Sequence, residues 1–74
     1  MRFIYTKHAD LRIGQRVLSR ERIQDCIKNP NESVPGFLGR SVARKNFGDK
    51  TLEVVYKKTN GVIVIITAYW LREA

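Results

Sequence analysis

At 74 residues the chain has material for one small core, and a domain of that size buries only about 60% of the surface its unfolded form exposes. Its hydrophobic share of 43% excludes disorder, and the longest apolar run, Val62 to Ile66, is far too short for a bilayer-spanning helix. Fourteen basic residues against seven acidic ones leave a net charge of +7, a field that recruits polyanions, nucleic acid first among them. One cysteine excludes an internal disulfide, and one histidine leaves no plausible zinc set. With no signal-peptide pattern at the start, the expectation is a cytoplasmic chain without metal, cofactor or membrane contact.

Arg2 to Thr6 is rich in aromatic and β-branched residues and reads as a first strand. Thr6 is placed to cap a helix from Lys7 that turns Ala9, Ile13 and Val17 to the core and ends near Arg16. Ser19 is the expected N-cap of a second helix, with Glu21 at the positive end of its dipole. Ile23, Cys26 and Ile27 form its buried stripe, and Lys28-Asn29-Pro30 stops it. On that stripe Cys26 is read as an inert small hydrophobe.

Asn31 to Gly39 holds Pro35, Gly36 and Gly39 and reads as an irregular or edge segment. Three strands are expected beyond it. Arg40 to Phe47 alternates Arg40/Val42/Arg44 against Ser41/Ala43/Lys45/Phe47, and Thr51 to Lys58 alternates Leu52/Val54/Tyr56 against Glu53/Val55/Lys57. Asn60-Gly61 signals a type I′ hairpin, after which Val62 to Trp70 is apolar on both faces and reads as a central strand. The whole is an α+β domain spanning 1–74, in the order β-α-α-β-β-β. Two N-terminal helices pack on a mostly antiparallel four- to five-stranded sheet.

Two features suggest chemistry. His8, Arg12 and Arg16 recur at i, i+4 and i+8, one stripe of the first helix. An imidazole moves protons near neutral pH and guanidinium forks grip phosphate, so the stripe suits a metal-free phosphodiester site. An ordinary solvated helix face is the competing explanation. On the last strand, the Ile63/Ile65/Thr67/Tyr69 face turns polar near its end, although threonine and tyrosine are also common strand residues. Basic residues concentrate at the N-terminus and again at Arg40, Arg44, Lys45 and Lys50.

The set formed by His8, Ala9, Arg12, Ile13 and Arg16, then Leu18-Ser19, Lys28-Asn29-Pro30, Leu52 to Tyr56 and Ile65 to Tyr69 resembles a known family. It is a group of short prokaryotic proteins known mainly as a domain of unknown function. That group is usually placed with RelE- and BrnT-like toxins in the barnase–EndoU–colicin–RelE superfamily. The resemblance implies a RelE-like α+β fold and a metal-independent endoribonuclease encoded beside an acidic antitoxin. Val17 stands where many relatives have glycine.

Cleavage of RNA by its own 2′-hydroxyl needs a base, an acid and cations around the transition state. His8 is the candidate acid or base. Arg12 and Arg44 are the candidates for stabilising the transition state, with Arg16, Arg40 and Lys45 holding the backbone of free or ribosome-bound RNA. Tyr69 is suited to stack on a base or donate a proton, and Thr67 to bond a phosphate or orient His8. Glu53, flanked by valines, is expected to be an exposed strand carboxylate. The alternative is a non-catalytic basic module that binds nucleic acid or a protein partner through the same fold.

Overall fold

The computed structural model describes residues 2–15 and 18–71. Strand β1 (Arg2–Tyr5) leads into helix α1 (Lys7–Gly14), and helix α2 (Arg20–Lys28) follows. Strand β2 (Glu32–Pro35) and a 3-10 turn (Phe37–Gly39) precede β3 (Ser41–Asn46), β4 (Thr51–Thr59) and β5 (Val62–Leu71). The five strands lie in the order β1-β5-β4-β3-β2, with β1 parallel to β5 and every other pair antiparallel. The α+β expectation holds, and the segment read as irregular or edge supplies the fifth strand.

Local chemistry explains the boundaries. The Thr6 hydroxyl accepts from the Ala9 backbone N–H at 3.2 Å, and the Ser19 hydroxyl accepts from that of Arg22 at 3.2 Å. Each thereby satisfies one of the donors a helix start leaves without an intrahelical partner. Asn60 and Gly61 both take positive φ, 48° and 76°, as a type I′ hairpin between β4 and β5 requires. Leu38, with φ 56°, also occupies the left-handed region, and with Phe37 it stands in solvent beside the edge strand.

One face of the sheet is covered. Ala43, Leu52, Val54, Ile63, Ile65 and Ala68 point toward the helices and close a core with Ala9, Leu18, Ile23 and Cys26. The α2 stripe is as read, with Ile27 partly buried at its rim. In α1 Ala9 is buried and Ile13 partly so; Val17 lies outside the described residues. The Cys26 thiol sits 3.5 Å from the Ala43 carbonyl and 3.6 Å from that of Leu52. Burial pushes its pKa up to about 11, so it remains a protonated, inert core group.

The expected Ile63/Ile65/Thr67/Tyr69 face does not exist. The β4–β5 register runs Tyr56 to Ile65 and then Val55 to Thr67, which leaves Ile66 as an extra residue on β5. Such a bulge shifts the alternation of side chains by one position. Ile63 and Ile65 therefore face the helices and Ala68 continues that face, while Thr67 and Tyr69 turn to the uncovered side. Thr6 fastens the bulge to the start of α1: its hydroxyl donates to the Ile66 carbonyl at 2.7 Å, and its backbone N–H to that of Ile65 at 3.0 Å.

Candidate functional site

The strand registers set Glu32, Arg44, Glu53 and Tyr69 side by side in one row across β2, β3, β4 and β5 on the open face. The next row contains Val34, Val42, Val55 and Thr67. Arg44 donates from Nε to Glu53 Oε1 at 2.6 Å, and its Nη1 lies 3.3 Å from Glu32 Oε2. Hydrogen bonds to Glu53 first and Glu32 second raise the Arg44 pKa further. Glu53 is 6% exposed, which corrects the expectation of a solvated strand carboxylate. A charge so buried is tolerable only because the guanidinium meets it directly. Arg44, chosen from the sequence as a transition-state cation, is thus already engaged by two carboxylates.

Lys45 points to the other face. Its Nζ makes a 2.8 Å ion pair with Asp25, and hydrogen bonds from Lys45 and then Asn29 lower the Asp25 pKa. Asp10 is taken by Arg20 at 3.3 Å. Asp10, Asp25, Glu32 and Glu53 are therefore consumed by Arg20, Lys45 and Arg44. Among the described residues Arg2, Lys7, Arg12, Arg22, Lys28, Arg40, Lys50, Lys57 and Lys58 have no carboxylate partner. Internal pairing thus concentrates the basic excess in a specific set of side chains.

Two groups in that set have defined surroundings. Arg12 is partly buried on α1, and its Nε is sealed from solvent without a hydrogen-bond partner. A donor in that condition costs stability unless an acceptor arrives. His8, one turn earlier, is exposed. Arg16, the third member of the stripe, lies outside the described residues. No side-chain hydrogen bond or ion pair joins His8 or Arg12 to Thr67 or Tyr69 among the described residues; what the structure does align with Tyr69 is Arg44 and Glu53.

The second group was missed in the sequence. Phe47 and Trp70 meet edge to face, with ring centres 5.9 Å apart. The Arg22 guanidinium lies 5.6 Å from the Phe47 ring centre and 5.7 Å from that of Trp70. Lys50 stands 5.8 Å from Trp70 and Lys45 5.7 Å from Phe47. Three cations around one aromatic pair is dense, since significant contacts of this type occur roughly once per 70–80 residues. Arg22 and Lys50 are exposed, so their outer N–H groups remain available to an anion. The cue was Phe47 and Trp70, each just outside or at the end of a strand pattern; their meeting depends on the β3–β4–β5 register.

The profile of a protein family described as a domain of unknown function, DUF4258, matches residues 5–70. No curated protein and no solved structure matches the chain.

Proposed function

The chain belongs to the DUF4258 family, and from its charge distribution we propose that it is an RNA-directed module which binds single-stranded RNA through the cations that lack carboxylate partners. The observation that supports this reading is the division of the charges. The paired cations spend their field on Asp10, Asp25, Glu32 and Glu53, whereas Arg12, Arg22, Arg40 and Lys50 keep theirs for a ligand. Single-stranded nucleic acid combines a phosphate backbone with unstacked bases, the chemistry that cations and aromatic rings together recognise. Affinity for a fluorescently labelled single-stranded RNA, followed from low to physiological salt, tests the reading. The log–log slope is expected to be about −0.7 per neutralised phosphate. Affinity indifferent to salt, or absent at low salt, overturns it.

A second reading adds cleavage, and the buried, unpartnered Arg12 Nε one turn from His8 favours it. If the Arg12 side chain turns so that this donor opens to solvent, a phosphate oxygen would satisfy it while His8 moves a proton to or from the ribose or the leaving oxygen. This is the activity that the RelE-like resemblance implies, with a cytoplasmic setting and an acidic antitoxin as further parts of the proposal. His8→Ala is then expected to slow cleavage by about 10²–10⁴ with affinity nearly unchanged, leaving wild-type products with 2′,3′-cyclic phosphate ends. If the wild type binds RNA without cutting it, free or on ribosomes, the non-catalytic module stands.

A further inference from the structure

Between α2 and the sheet lies a cavity of ≈ 310 Å³ lined by Ile27, Lys28, Tyr56, Lys58 and Ile63. It lies on the helix-covered face of the sheet, which neither His8 nor the open-face row supplies. We propose that this cavity binds a phosphate monoester carried on a flat heterocycle, that is, a nucleotide.

Two properties of the lining select that class. The first is charge. Lys28 and Lys58 both line the cavity, and no carboxylate among the described residues does. Neither lysine has an ion-pair partner among the described residues. Two cations match a phosphate monoester, which carries about −1.5 to −2 charges at pH 7, better than a lone carboxylate. Lysine binds phosphate as a point charge on a flexible stem, so the two can close on one group.

The second property is the floor. Ile63 is 2% exposed, Ile27 and Tyr56 are half-buried, and together they offer an apolar surface with one phenol at its margin. Phe3, level with Ile63 in the β1–β5 register, lies beneath Lys28 at 5.8 Å from its Nζ. Inorganic phosphate would occupy only a corner of the space, whereas small-molecule sites begin at roughly 300 Å³ and join an apolar lining to a few convergent polar groups. The heterocycle would lie on Ile27, Ile63 and the Tyr56 ring, with its phosphate between the lysines.

The same chemistry is offered by a free nucleotide and by the phosphorylated end of an RNA strand. Amide and methyl NMR shifts of the full chain are followed during titration with uridine 5′-monophosphate, uridine and inorganic phosphate. The expected result is saturable shifts at Ile27, Tyr56 and Ile63 with the monophosphate, at least tenfold weaker binding of uridine and of phosphate, and at least tenfold weakening by Lys28→Gln/Lys58→Gln. Both lysines are exposed, and an unchanged spectrum elsewhere verifies that the variant folds. A short RNA bearing a 5′-phosphate is then compared with its 5′-hydroxyl form. Preference for the phosphorylated strand assigns the site to RNA ends; no preference, with the monophosphate still bound, assigns it to free nucleotides. Phosphate binding as well as the monophosphate, or monophosphate binding insensitive to the lysine substitutions, overturns the proposal. RNA binding through Arg22 and Lys50 would survive that outcome, and the cavity would survive the loss of RNA binding.

Discussion

The two faces of the sheet handle charge in opposite ways. Beneath the helices the side chains of Ala43, Leu52, Val54, Ile63, Ile65 and Ala68 are apolar and buried, and the cations stand at the rim, over aromatic rings or at a cavity mouth. On the open face Arg44 occupies the centre, but Glu32 and Glu53 flank it and cancel its field. The central arginine on an exposed sheet is thus the poorer anion ligand. The lesson is that a cation's value to a polyanion depends on whether a carboxylate has already claimed it.

Substitutions on the covered face are expected to cost the most. Ile65→Ala removes a fully buried side chain at the foot of α1 and is expected to cost about 2–5 kcal/mol in urea unfolding, whereas Thr67→Ala on the open face costs under about 1 kcal/mol. Equal losses would show that the bulge does not separate the two faces. On the open side Arg44→Met strands the buried Glu53 carboxylate. Because Arg44 is about a third exposed, a loss smaller than the penalty of a fully buried pair is expected in urea unfolding. Adding Glu53→Leu should restore most of it, since an apolar pair needs no compensation.

Thr6→Ala removes both a helix cap and the hydroxyl bond to the bulge, and about 1–2 kcal/mol is expected. The smallest effect is acid-dependent. The folded state lowers the Asp25 pKa below its ordinary 3.8. The stability from its contact with Lys45 is therefore present above that value and disappears as pH falls through the lower, folded one. Asp25→Asn should flatten the acid limb of a stability–pH curve while changing little near neutrality beyond the lost pair.

Most of the scaffold was legible because its signals are local. Thr6 and Ser19 declare helix starts, Asn60-Gly61 declares a hairpin, and Ile23, Cys26 and Ile27 declare a buried stripe. What escaped depends on pairing between distant segments. Nothing in Val64-Ile65-Ile66-Thr67 marks Ile66 as the extra residue, because three of the four fit either face; the bulge emerges only against Val55 and Tyr56. Likewise Arg44 and Glu53 become partners through the β3–β4 register, so alternation alone made one a free cation and the other a solvated acid. Of the candidate site, the His8–Arg12 spacing was readable, while the Arg22–Phe47–Trp70–Lys50 cluster required the fold.

Two variants that each lose two positive charges distinguish paired from unpaired cations. Arg22→Gln/Lys50→Gln removes cations without carboxylate partners, and Arg20→Gln/Lys45→Gln removes cations paired with Asp10 and Asp25. For single-stranded RNA, the first is expected to flatten the log–log salt slope by roughly 1.4, two phosphates' worth, and the second to leave it near the wild-type value. Equal flattening by both would mean that net charge alone governs the affinity and that carboxylate pairing does not decide which cations meet RNA.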